Sequence, residues 1–143
     1  IDAATIPSDG KARVLLGSYG ALGSPVEHRA PITYLHVKLE AGERWRYQPA
    51  LEHSVAWLAV NGGRLRVSGA VLEREMAVFE AGNAAIEIEA EGASELVIGS
   101  AAKHPHQLVC GSYSVHTSRA ALARGEAGIR TAAERLRATG GLR

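Results

Sequence analysis

The residues best equipped for chemistry in this 143-residue chain are its histidines, of which there are six. His104 and His106 have the His-x-His spacing that offers two imidazoles to one ion, and His116 follows on the next segment. A tightly held transition metal needs three or four ligands, and catalysis needs an open coordination position besides. Pro105 separates the pair in a predicted loop, so a solvated or structural role is expected. A metal site drawn from His104, His106 and His116 is the weaker alternative. His116 lies just before a helix start and is expected to hydrogen-bond a loop carbonyl. His53 stands apart, because it shares the parity of Val55 in the strand that follows and so points inward. Trp45, Tyr47 and Trp57 lie close to it in sequence. These four residues form the candidate ligand pocket, suited to a small apolar molecule, against the simpler reading that the aromatics only fill a core. No catalytic residue is assigned, since neither a Ser/His/Asp nucleophile pattern nor a glycine-rich phosphate loop is present.

Such side chains must be positioned by β-structure. Ala12–Gly17 reads as a first strand, and the glycine- and proline-rich stretch 18–26 as loop. Ile32–Leu39 alternates, with Leu35, Val37 and Leu39 on one face and Tyr34, His36 and Lys38 on the other. Arg44–Tyr47 continues after a turn. Residues 53–69 read as a hairpin about Asn61-Gly62, a type I′ signal, with Val55, Trp57 and Ala59 facing inward. Residues 76–92 give two strands, the second with Ile86 and Ile88 inward and Glu87 and Glu89 outward. Residues 94–102 are a near-continuous apolar strand, and 108–116 form the last. About eight evenly spaced strands with no internal helix predict an all-β sandwich or small barrel.

A single helix closes the chain. Ser118 is its N-cap, Leu122, Ile129 and Leu136 share one stripe, and Gly140-Gly141 ends it. Gly125 and Gly128 inside it each cost about 1 kcal/mol relative to alanine. A helix so weakened is expected to dock its stripe on another surface. The reading by segments is a linker-like stretch over 1–11, a β-barrel over 12–117 and the helix over 118–139.

Hydrophobic residues make up 46% of the chain and charged residues 22%, as in ordinary globular domains. A net charge of +1 gives no reason to expect nucleic acid or a membrane surface as partner. The single cysteine, Cys110, excludes an internal disulfide, fits a cytoplasmic location, and is expected to be a buried, inert thiol beside Leu108 and Val109. The opening "IDAATIP" has no initiator methionine and reads as a linker from a longer protein.

The phrases "LEAGE" and "MAVFEAGNAAIEI" resemble the two halves of a cupin, the double-stranded β-helix or jelly-roll barrel. Four blocks resemble, more specifically, the C-terminal cupin domain of pirin-like proteins: "ARVLLGSYGALGSPV", "PITYLHVKLEAGERW", "LVIGSAAKHPHQLVCGSYSVHTS" and "ALARGEAGIRTAAERLR". Pirins are two tandem cupins, and this chain looks like the second alone. The resemblance implies iron or another divalent metal in the first domain, with quercetin 2,3-dioxygenase activity in some members and a transcriptional cofactor role in others. It also implies a second domain without metal.

The cupin ligand pattern, laid on this sequence with Gly62 as its closing glycine, puts Val55 in the glutamate slot. Its His-x-His slots fall on Pro49 and Leu51, or on Gln48 and Ala50, and its last histidine on Ala85. The expectation is therefore a chain with no cofactor of its own. It would have a structural role, with the first cupin domain of the same parent or a second copy of itself as partner. The alternatives are a stand-alone metal-dependent cupin enzyme and a cupin that binds a small apolar ligand.

Overall fold

The computed structural model describes residues 2–141, which fall into two compact units divided between Lys103 and His104. In the first unit a short 3-10 turn (Ala3–Thr5) precedes the strands β1 (Ala12–Leu16), β2 (Ser18–Tyr19), β3 (Leu22–Gly23), β4 (Ile32–Leu39), β5 (Arg44–Tyr47), β6 (Val55–Gly62), β7 (Leu65–Val67), β8 (Ala70–Leu72), β9 (Met76–Val78), β10 (Ile86–Ala90) and β11 (Ser94–Ala101). Five of them form one sheet in the order β1-β4-β11-β6-β9, and four form another in the order β5-β10-β7-β8. From β4 onward the chain crosses between these sheets at almost every connection, and all pairings are antiparallel. This is the double-stranded β-helix that the cupin resemblance implies.

Alternation along the strands builds the core between the sheets. Leu35, Val37 and Leu39 of β4 are buried, as are Trp45 and Tyr47 of β5, Ile86, Ile88 and Ala90 of β10, and Leu96 and Ile98 of β11. Outward on the four-stranded sheet, arginines of β5 and β7 flank the glutamates of β10. Arg44 lies 3.3 Å from Glu89, Arg46 lies 3.3 Å from Glu87, and Arg64 and Arg66 share Glu91. The predicted faces of β4 and β10 are the observed ones.

Strand β6 is reversed from its expected orientation. Ala56, Leu58 and Val60 face the core, while Val55, Trp57 and Ala59 are only partly buried on the outer face. "VAWLAV" is apolar at every position, so period two has no phase within it. Pairing supplies the phase: Leu58 stands opposite the core residue Ile98, and Trp57 opposite Gly99. Nor does Asn61-Gly62 make a hairpin turn. β6 continues through it and crosses to the other sheet by way of Gly63 at φ 80°. A Cβ on Gly63 would lie 2.3 Å from the Ser94 hydroxyl and 2.5 Å from the Ala93 carbonyl, so that corner admits no side chain. The two-residue hairpin is Ser68-Gly69, joining Val67 to Ala70 with φ 49° and 85°, the two positive values a type I′ turn needs. Residues 18–26, expected as loop, contain the small β2–β3 ribbon about Gly20.

The second unit holds β12 (Val109–Cys110), β13 (Val115–His116) and the helix α1 (Arg119–Ala138). Residues 104–117, read from sequence as the end of the barrel, belong with the helix to this unit. β12 and β13 pair with each other as a two-stranded sheet. Cys110 on it is exposed, contrary to the expected buried thiol, because a two-residue strand carries no second layer over its side chains. Ser118 caps the helix, its hydroxyl accepting from the Ala121 N–H at 3.1 Å, and Gly140 follows the last turn at φ 71°. Leu122 is partly buried over Gly111, whereas Ile129 and Leu136 remain 51% and 48% exposed. Gly125 has a packing reason. A Cβ there would sit 2.3 Å from Cε1 of His116, so the glycine admits the imidazole against the helix.

Candidate functional site

At one end of the barrel four polar side chains are buried between the sheets. Thr33 on β4 and Ser100 on β11 are direct partners across the five-stranded sheet. Tyr47 reaches them from β5 of the other sheet, and His53 from the crossover that joins β5 to β6. The Ser100 hydroxyl lies 2.6 Å from that of Tyr47 and 2.7 Å from Nδ1 of His53. Beside them the Thr33 hydroxyl donates to the Ser18 carbonyl at 3.0 Å. All four residues are at most 5% exposed. Burial pushes the Tyr47 phenol above its usual 10.0, with hydrogen bonding to Ser100 opposing that shift.

Ser100 is the shared partner of the network. The single proton of the Ser100 hydroxyl serves at most one of its two partners, so at least one of Tyr47 and His53 donates to it. Nδ1 of His53 is engaged in either case.

Of the expected pocket residues, the structure brings Tyr47 and His53 together at this barrel end. Trp45 is the next layer, with its ring 5.8 Å from that of Tyr47. Trp57 does not join them. It lies on the outer face of β6, packed across Gly99 onto Tyr34 with ring centroids 5.4 Å apart. Tyr19 is the third aromatic of the cluster instead, 6.0 Å from Trp45 and 6.3 Å from Tyr47. Ser18, Tyr19, Thr33, Tyr47 and Gln48 line an open groove of about 480 Å³ beside the network. The sequence reading missed Thr33, Ser100 and Tyr19. Parity carried the signal for the first two: Thr33 has the phase of Leu35 and Val37, and Ser100 that of Leu96 and Ile98.

The remaining histidines are held otherwise. His104 and His106 are exposed, their rings 5.1 Å apart, and Nδ1 of His104 accepts from the His106 N–H at 3.3 Å. His116 bonds the Ser114 hydroxyl at 2.9 Å, a side chain and not the expected loop carbonyl. Among the described residues no three His, Cys, Asp or Glu side chains gather as a metal cage would require.

The donor set at the barrel end can be set against the divalent metal the fold implies. The network offers one imidazole, with one nitrogen already committed, three engaged hydroxyls and no carboxylate. Of the cupin slots, Val55 faces outward, Ala85 lines a shallow groove with Pro49 and Phe79, and the exposed Gln48 donates to the Asn83 carbonyl at 2.9 Å. Leu51 is 87% exposed. These residues do not fit iron or another catalytic divalent metal, which takes imidazole and carboxylate ligands.

Comparison with known proteins places the fold. No protein-family model matches the chain, and no curated protein matches it in sequence. Among solved structures it is similar to quercetin 2,3-dioxygenase from Acinetobacter baumannii. One structure of that enzyme matches with TM-score 0.78 and 16% identity over 92% of this chain and 48% of the other. A second matches with TM-score 0.71 and 20% identity over 84% and 40%. GK1651 from Geobacillus kaustophilus matches with TM-score 0.60 and 16% identity over 71% and 46%. At such identities the likeness shows the fold, an all-β cupin barrel with a C-terminal helix. The chain spans about half or less of the length of these structures. Among the described residues no helix is long and apolar enough to cross a membrane.

Proposed function

We propose that this chain is a metal-free cupin domain, the second of two in a longer pirin-like protein, and that its role is structural. The observation that carries the reading is the buried His53–Ser100–Tyr47 network with Thr33 beside it. Where a catalytic cupin keeps open coordination positions, this barrel end holds side chains already engaged in hydrogen bonds. The coverage of about half of the similar solved chains supports a parent with a further domain. On this reading the partner is a first cupin domain carrying iron or another divalent metal. The parent is then a quercetin 2,3-dioxygenase-like enzyme or a regulatory cofactor, with this domain supporting the metal-bearing one.

The test is elemental analysis of chelated, iron-reconstituted protein. Well under one metal per chain is expected, with no flavonol oxidation. Near-stoichiometric iron and activity, both lost in His53→Ala or His106→Ala, would overturn the reading in favour of a stand-alone metal enzyme.

A further inference from the structure

The small net charge of the whole chain hides a division. Residues 1–103 carry ten basic and thirteen acidic side chains, a net of −3, whereas residues 104–143 carry six arginines against two glutamates, a net of +4. Such an asymmetry within one chain points to an anionic partner for its basic part. The arginines of the two units are also held differently. In the first unit Arg44, Arg46, Arg64 and Arg66 lie against glutamates. On α1, Arg119, Arg124, Arg130, Arg135 and Arg137 are all exposed, and none forms an ion pair among the described residues. The helix also carries an apolar line. Leu122 is seated over Gly111, while Ile129 and Leu136 face water. At about 100° per residue, Arg119, Arg130 and Arg137 stand roughly a quarter-turn to one side of this line, and Arg124 and Arg135 roughly a third of a turn to the other. Glu126 is half-buried beside Gly111, and Glu134 lies on the far side of the helix. Five of the eight exposed large hydrophobic side chains among the described residues (Leu108, Tyr113, Val115, Ile129 and Leu136) belong to this unit, which is little more than a quarter of the chain.

We infer that the second unit binds the surface of an anionic lipid bilayer, with α1 lying in the plane of the interface. The occupant must be apolar along one line of the helix and anionic on both sides of it. A bilayer meets both demands by its layering: the acyl boundary takes Ile129 and Leu136, and phosphate headgroups reach the arginines that flank them. Tyr113, an apolar ring with a polar tip that is 96% exposed, suits the same boundary. A nucleic acid would satisfy the arginines but leave the exposed apolar side chains in water. A protein groove that buried the line would have to present acidic side chains along both of its rims. The apolar line is short, so binding is reversible and rests largely on charge. It uses no residue of the barrel and is independent of the structural role proposed above.

Co-sedimentation of the chain with vesicles tests it, using phosphatidylcholine alone and an equal mixture with phosphatidylglycerol. The chain should pellet with the mixed vesicles and not with phosphatidylcholine, and added salt should weaken the binding. One basic side chain beside an anionic surface is worth about fivefold in affinity, so Arg130→Gln combined with Arg137→Gln should weaken it by roughly tenfold or more. Ile129→Gln combined with Leu136→Gln should also weaken it, although no charge changes. Arg29→Gln, at an exposed site of the first unit, should leave it unchanged. All these variants alter exposed positions and should keep the wild-type circular dichroism. Failure to bind the mixed vesicles, or binding that either double variant leaves intact, overturns the inference. Duplex DNA that competes the chain off the mixed vesicles at equal phosphate concentration assigns the arginines to nucleic acid and overturns it equally.

Discussion

Replacing Ser100 with alanine removes one hydroxyl that two buried groups share. Tyr47 loses its hydroxyl partner, a loss of about 0.5–1.5 kcal/mol. His53 fares worse, because its Nδ1 loses the partner at 2.7 Å inside a residue only 3% exposed. A buried polar group left unpaired costs about 1–3 kcal/mol. The sum is roughly 2–4 kcal/mol, on the order of 5–15 °C in melting temperature for a chain of this size. Tyr47→Phe is the internal comparison. Ser100 and His53 keep each other, so a single hydrogen bond is removed and about 0.5–1.5 kcal/mol should be lost. Urea unfolding followed by tryptophan fluorescence is a clean assay, since both tryptophans, Trp45 and Trp57, belong to the first unit. A Ser100→Ala loss below about 0.5 kcal/mol, or one smaller than that of Tyr47→Phe, would refute the shared role of the Ser100 hydroxyl.

The reversed face of β6 predicts that Leu58→Asp, which buries an unpaired carboxylate, costs several kcal/mol, roughly 3 or more, while Val55→Asp on the outer face costs far less; urea midpoints decide. In the helix, Gly128→Ala should stabilise by about 0.5–1 kcal/mol, since the added methyl would have nothing within 4 Å to meet. Gly125→Ala should destabilise despite alanine's propensity, and adding His116→Ala should reverse that, as thermal melts of the helical circular dichroism signal would record. Alkaline pH probes Tyr47. Its folded pKa lies above the ordinary 10.0, so its stabilising effect is complete below that pH and is lost as pH rises through the folded value. Ultraviolet titration should show one of the four phenols ionising late and together with unfolding.

Strand identity and the faces of β4 and β10 were legible in the sequence, because polar and apolar residues alternate there and only one phase buries the apolar set. The helix with its Ser118 cap was legible for a similar reason, since capping is chemistry local to a few residues. The phase of β6 was not, because a strand apolar throughout carries no phase of its own until Ile98 and Gly99 are set beside it. Asn61-Gly62 is a strong local turn signal, yet the chain crosses to the other sheet at Gly63 and turns back at Ser68-Gly69, a choice made by which sheet each strand joins. At the candidate site, sequence singled out His53 and Tyr47 but not what binds them. Ser100 and Thr33 lie far from each other in sequence, on two strands that meet only because the five-stranded sheet forms. Composition and local pattern determined that this chain is a β-barrel with a terminal helix. Only long-range pairing decided that its buried histidine would face a serine, because hydrogen-bond partners are set by which strands lie side by side.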